Sequence, residues 1–184
     1  MVCCAYGILM RIIAGALKGR IFSAPTGHRT HPMSEKSRGA IFNALGDITG
    51  LTIVDPFAGS GAICFEAISR GASHATAIDS DRNAQHAISI NITSLNLENK
   101  VSLIKANASA WLTTNNSKFD ILILDPPFKN LQYSLLEKLV YVVQASGTIA
   151  LSWPGKHEIP KLVNTEQLQI KNYGDNTLIF LRKI

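Results

Sequence analysis

Strand-length apolar runs alternate with helix-length amphipathic segments along most of this 184-residue chain. Residues 51–54, 75–78, 101–105, 121–124 and 148–153 read as buried strands, and residues 61–70, 81–95 and 131–144 as helices between them. Alternating β and α elements imply a mainly parallel sheet covered on both faces, which is a doubly wound α/β fold. The end of the chain breaks the alternation. Residues 168–173 and 177–181 flank Gly174-Asp175-Asn176, a hairpin signal that predicts an antiparallel strand at the C-terminus. The beginning differs as well. Residues 11–23 read as two short strands around Gly15 and Gly19, and a loop over 24–32 follows. Ser34 is then placed to cap a helix whose stripe Ile41, Phe42 and Leu45 ends near Gly46. The chain contains no internal repeat and no low-complexity segment.

Composition narrows the class. With 46% apolar and 17% charged residues the chain is neither disordered nor membranous, and its 20.0 kDa suit one domain acting as a monomer. The net charge of +5 is unevenly spread, because residues 1–50 hold six basic side chains against two acidic ones while the rest is nearly neutral. A basic segment on a neutral core is the footprint expected for a polyanion partner. Cys3 and Cys4 are adjacent and Cys64 stands alone, without any C-x-x-C pair, so a reducing compartment such as the cytoplasm fits best. The first ten residues are apolar but too short to span a bilayer, and lack the charged start of a signal peptide. Met10-Arg11-Ile12-Ile13 opens the first strand-like pattern, which leaves residues 1–9 as an extension with no assigned role.

In open α/β sheets ligands sit beyond the carboxyl ends of the strands, so the residues just past each strand carry the chemistry. After the first core strand comes Asp55-Pro56-Phe57-Ala58-Gly59-Ser60-Gly61, whose glycines let backbone approach a ligand closely. The third position of the dinucleotide fingerprint is Cys64, which disfavours NAD. Asp79 follows the second strand, where an acid commonly accepts from two ribose hydroxyls. Asn107 follows the third and offers an amide to an adenine edge; both residues are equally placed to cap a helix. The fourth strand delivers Asp125-Pro126-Pro127-Phe128. Two prolines hold the carbonyls of that turn in fixed directions, so the carboxylate and a carbonyl can accept both hydrogens of one planar NH2 while Phe128 offers a stacking face. A stiff exit turn is the plainer alternative for the same four residues.

Other chemistries are not supported. His28, His31, His74, His86 and His157 show no metal spacing, no P-loop is present, and no serine occupies a G-x-S-x-G elbow. Trp111 and Trp153 read as packing residues.

Val54-Asp55-Pro56-Phe57-Ala58-Gly59-Ser60-Gly61 resembles the cofactor loop of class I S-adenosylmethionine methyltransferases, and Asp125-Pro126-Pro127-Phe128 resembles the motif of their amino-methylating members. More narrowly, Met10-Arg11-Ile12-Ile13-Ala14-Gly15, Lys18-Gly19-Arg20, the stretch from His31 to Arg38, Phe42-Asn43-Ala44-Leu45 and Tyr173-Gly174-Asp175 are similar to the RsmD type, which methylates N2 of one guanine in 16S ribosomal RNA. The resemblance runs from Met10 almost to the C-terminus. It implies a basic RNA-binding appendage over residues 10–50 and a Rossmann-like catalytic domain over 51–184. S-adenosylmethionine would lie on Asp55, Phe57, Ala58, Gly59, Ser60, Gly61, Asp79 and Asn107, leaving as S-adenosylhomocysteine. The target amino group would lie on Asp125, Pro126, Pro127 and Phe128, and RNA on Arg11, Lys18, Arg20, Arg29, His31, Lys36 and Arg38. The implied substrate is 16S rRNA in an assembled or partly assembled small ribosomal subunit. This chain departs from the family pattern at His31, Met33, Gly39 and Asn107, where Arg, Thr or Ser, a second acid, and Asp are usual. The residues alone also admit an N-methyltransferase of DNA adenine or of a protein amide, or an RNA-binding module without activity.

Overall fold

The computed structural model describes residues 8–27, 33–155 and 157–184. Its centre is a seven-stranded sheet of β3 (Thr52–Asp55), β4 (His74–Asp79), β5 (Val101–Lys105), β6 (Phe119–Leu124), β7 (Val143–Pro154), β8 (Thr165–Tyr173) and β9 (Asn176–Lys183), in the order β5-β4-β3-β6-β7-β9-β8. The five strands from β5 to β7 run parallel, and β9 and β8 are antiparallel. The predicted hairpin is present, with Tyr173 opposite Asn176 across the two-residue turn Gly174-Asp175. From β3 the chain builds outward through β4 and β5, then returns to the other side of β3 as β6. This reversal opens a crevice beyond the carboxyl ends of β3 and β6.

Strand alternation explains the two apolar layers. Ile53, Ala75, Ala77, Ile121, Ile123 and Ala150 face one layer, packed by Phe65, Ile88 and Ile92 from helices α2 (Ala62–Ser69) and α3 (Arg82–Ser94). Val54, Ile78, Leu122, Leu124, Ile149 and Leu151 face the other, where Trp111 of α4 (Ala108–Thr114) and Leu136 and Leu139 of α5 (Tyr133–Val140) pack with Trp153. Both tryptophans are therefore core, as their composition context predicts.

One expected boundary moves. The helix read over 131–144 ends at Val140, and β7 starts at Val143 instead of residue 148. Val142 and Val143 are β-branched and stiff at χ1, which suits a pleated surface, and the carbonyl of Val142 accepts from the Phe119 N–H at 2.9 Å. A register shift between Phe119 and Ile121, with Ser146 at φ 64°, absorbs the extra residues.

The N-terminal segment forms a small antiparallel pair, β1 (Leu9–Arg11) and β2 (Ile21–Ser23), followed by α1 (Glu35–Leu45). Ser34 caps α1 by accepting from the Ser37 N–H at 3.1 Å, and Gly46 ends it at φ 73°. This segment is built into the α2 and α3 side of the sheet. Ile12, Phe22, Ile41 and Phe42 join the same apolar layer as Ile53, and the Phe22 ring meets Phe65 edge-on at 5.2 Å. Asn91 of α3 extends the pairing of β2, accepting from the Ser23 N–H at 3.1 Å and donating to the Ser23 carbonyl at 2.8 Å. Buried Glu66 of α2 receives the N–H groups of Ile13 and Ala14 at 2.8 and 3.0 Å, so the loop after β1 is tied to α2. Gly15 makes the close approach possible: a Cβ there would stand 1.8 Å from the Ser69 carbonyl oxygen. No helix among the described residues is long and apolar enough to cross a membrane.

Candidate active site

Four strand ends meet along one edge of the sheet. Asp55 closes β3 and is almost fully buried, accepting from the Phe57 N–H at 3.0 Å in a tight turn. The loop then turns through Gly59 at φ 53° and Gly61 at φ 77°, and at Gly61 a Cβ would fall within 2.8 Å of the Phe65 ring. Over Gly59 a Cβ would meet nothing closer than 3.9 Å, so that stretch of backbone is open to a ligand. Ala58 and Ser60 are buried and Phe57 packs in the layer of Val54, which leaves this loop to act mainly through its backbone.

Asp79, at the end of the neighbouring strand, shapes that loop. Its carboxylate accepts from the Gly59 N–H at 2.7 Å and the Asp81 N–H at 2.8 Å, while Asp81 itself caps α3. Each oxygen keeps a further lone pair for a hydroxyl donor. Asn107, beyond β5, is the N-cap of α4, its carbonyl accepting from the Ala110 N–H at 2.7 Å. The amino group of Asn107 makes no hydrogen bond among the described residues, so the amide's donor side, and not only its carbonyl, is what it can offer a purine edge.

Asp125 follows β6 immediately and lies beside β3, because Val54 opposes Leu122. Pro126 is buried, Pro127 is extended, and Phe128, 41% exposed, opens a 3₁₀ turn over Phe128–Asn130. Burial pushes the Asp125 carboxyl up from the usual range, opposed by a hydrogen bond from Ser152. Burial likewise pushes Asp55 up to about 8, opposed by the Phe57 N–H and reinforced by Asp125 and Asp79. An unfolded Asp titrates near about 3.9. The folded chain thus holds a proton that the unfolded chain has released, and stability falls as pH rises from about 4 to about 8. Asp55→Asn, which mimics the protonated acid, should flatten that decline of the thermal midpoint; an identical slope in the variant would count against this assignment.

The basic residues fare unequally. Lys18 is exposed in the turn before β2. Arg11 is exposed and forks onto Glu35 at 3.0 Å, Arg20 donates to the Ser94 carbonyl at 2.9 Å, and the Lys36 ammonium lies 5.9 Å from the Tyr173 ring centroid. Arg38 is a correction to the RNA-facing set. Its side chain is 0% exposed, 3.6 Å from the Glu66 carboxylate, and donates to the Arg11 carbonyl at 2.7 Å, so it cannot reach a phosphate. Arg29 and His31 lie outside the described residues. Sequence reasoning missed Glu66, Ser152 and Asn176; Ser152 sits inside an apolar strand run and only the register of β7 beside β6 reveals it. A groove of about 510 Å³ between α4 and α5, lined by Ser109, Lys118, Lys138 and Tyr141, holds none of the strand-end residues. Among the described residues no three His, Cys, Asp or Glu side chains group as a metal site.

The parallel sheet with its switch-point crevice, the glycine turn after β3 and the Asp-Pro-Pro-Phe turn after β6 together define a class I methyltransferase. A family model described as Conserved hypothetical protein 95 matches residues 10–182. An Escherichia coli K12 relative named Ribosomal RNA small subunit methyltransferase D is 32% identical over 142 residues, 77% of this chain and 70% of its own. YlbH of Bacillus subtilis, a provisionally named rRNA methyltransferase, is 31% identical over 161 residues, covering 84% and 88% of the two chains. The solved Escherichia coli structure of yhhF, described as a candidate methyltransferase, superposes with a TM-score of 0.84 at 27% identity, over 95% of this chain and 98% of that one. The chain belongs to this family, the RsmD type that its motifs resemble.

Proposed function

We propose that this protein transfers a methyl group from S-adenosylmethionine to the exocyclic N2 of a guanine in 16S ribosomal RNA, presented in an assembled or partly assembled small subunit. The observation that supports it best is the side-by-side placement of the open glycine turn after β3 and the Asp125 turn after β6, on adjacent strands. One ligand can reach both.

The methionine part of the cofactor would lie against the backbone of residues 57–61, the ribose on Asp79 and the adenine beside Asn107. When bound, the sulfonium supplies an activated methyl group and most of the chemical driving force. The remaining tasks belong to the chain. Guanine N2 is a poor nucleophile because its lone pair is delocalised into the ring. The Asp125 carboxylate and the Pro126 carbonyl, accepting its two hydrogens, would turn the lone pair toward the methyl carbon, and orientation of this kind accounts for much of a transfer rate. Pro126 and Pro127 hold these acceptors still, and Phe128, with its ring partly exposed, stacks on the base. The base must leave its stack to reach them.

Residues 10–50 serve as the RNA-facing segment and 51–184 as the catalytic unit, with Arg11, Lys18, Arg20 and Lys36 along the backbone of the RNA. Arg29 and His31 belong to the same proposal. Lys18 makes no ion pair among the described residues. Lys18→Ala should therefore lower the slope of log affinity against log salt by about one; an unchanged slope removes Lys18 from the RNA surface. On this reading the protein works as a monomer in the cytoplasm. Calorimetric titration with S-adenosylhomocysteine tests the cofactor assignment. Saturable binding that is weakened by Asp79→Ala is expected, and absence of binding would favour an RNA-binding module.

A further inference from the structure

The polar strand ends share one face of the sheet. Asp55, Asp79 and Asp125 are each two residues beyond a side chain of the α2 and α3 layer, namely Ile53, Ala77 and Ile123, and therefore crown that layer. Ser152 completes the row. It is two residues beyond Ala150, and since Leu124 opposes Leu151, Ser152 is the neighbour of Asp125 on β7. The serine is 1% exposed, so water does not satisfy its hydroxyl. It has two polar neighbours instead. The Asn176 amide donates to Ser152 Oγ at 3.0 Å, and the Asp125 carboxyl adjoins the same serine across the β6–β7 pairing. Asn176 is the first residue of β9, opposite Pro154 and Tyr173, so its backbone is held from both sides.

We propose that Ser152 and Asn176 are positioning residues for Asp125: the Asn176 amide fills the acceptor side of the Ser152 hydroxyl, which then donates its single hydrogen to the Asp125 carboxylate. The inference rests on the assignment of Asp125 to the substrate amino group made above. The competing acceptor for that hydrogen is Asn176 Oδ1, at 3.2 Å from Ser152 Oγ. A carboxylate wins this competition because charge-assisted hydrogen bonds are roughly twice as strong as neutral ones. Two consequences follow. The hydroxyl opposes the burial that would protonate Asp125, and a protonated acid can no longer accept with both oxygens. It also fixes the rotation of the carboxylate, leaving the second oxygen for the substrate. The titratable groups facing Asp125 are Asp55 from β3 and, farther along the row, Asp79 from β4; burial is what disfavours its anion, which is why a donor from β7 matters.

The test is the pH profile of methyl transfer from labelled cofactor to methyl-free small subunits, measured for Ser152→Ala, Asn176→Ala and Ser152→Thr. Loss of the donor should move the acid limb of kcat upward by about one pH unit, as expected for one hydrogen bond to a charged group. S-adenosylhomocysteine affinity should stay within about twofold, because neither side chain hydrogen-bonds the glycine turn. Ser152→Thr, which keeps the hydroxyl, should restore the wild-type limb, and the Asn176→Ala shift should be smaller than the Ser152→Ala shift. Asn176 is partly exposed beside a turn, so its truncation keeps the experiment informative even where Ser152→Ala folds poorly. An acid limb at the wild-type position in both alanine variants overturns the inference. Full activity of an Asp125→Ala protein would instead overturn the assignment of Asp125 on which it rests.

Discussion

Asp125→Ala is expected to reduce methyl transfer by about a thousandfold or more while S-adenosylhomocysteine binding persists. The separation follows from geometry. The carboxylate contributes no hydrogen bond to the glycine turn, whose order depends on Asp79 through Gly59 and Asp81. Removing Asp125 also takes away a charge that opposes ionisation of Asp55, so the buried cluster relaxes. Folding is therefore preserved or improved, and the loss is one of orientation. With the carboxylate gone, only the Pro126 carbonyl remains to hold the amino group, and a base free to tilt presents a delocalised lone pair. Single-turnover transfer to methyl-free subunits, read beside calorimetry, checks both halves. Retained turnover would sink the role given to Asp125, and lost cofactor binding would show a wider collapse of the site.

Glu66→Ala should be the most damaging substitution away from the crevice. The Glu66 side chain is 0% exposed and its carboxylate gathers Ile13 and Ala14 N–H groups, Arg70 at 2.8 Å and buried Arg38 at 3.6 Å. Arg38 has no partner for Nε or Nη1 among the described residues, so the carboxylate is its main source of compensation. Taking one member from a buried ion pair costs about 3–5 kcal/mol, because the other charge stays behind. For a chain of this length that corresponds to a fall of roughly 10 °C in the thermal midpoint. Replacing both partners by apolar residues of similar volume, as in Arg38→Met with Glu66→Leu, should recover part of the loss. A midpoint within about 2 °C of wild type in Glu66→Ala would show that the node does not hold the N-terminal segment in place.

Arg38 also shows where the sequence stops speaking. Its place in a run of basic residues suggested phosphate contact, but its exposure is decided by Glu66, which lies on another helix. Short-range signals were more legible. Ser34 and Gly46 bound α1 as predicted and Gly174-Asp175 turns the terminal hairpin, since each depends on backbone geometry within a few residues, whereas the cap of α3 falls on Asp81 and not on Asp79. The strand-end chemistry was readable for a similar reason: a parallel sheet carries its ligands at known positions, so Asp55, Asp79, Asn107 and Asp125 could be picked out before any contact was known. Ser152 was not, because it sits between Leu151 and Trp153 in an apolar run, and its meaning comes from the pairing of β7 with β6. Asn107 was half legible, its cap and its exposed amide being two uses of one side chain.

The choice of base is tested most directly in cells. Nucleoside mass spectrometry of small-subunit ribosomal RNA, with and without the gene, should show the loss of one N2-methylguanosine per molecule. The wild-type gene should restore it, and the Asp125→Ala gene should not. An N2-methylguanosine content that is the same in the presence and absence of the gene would contradict the account.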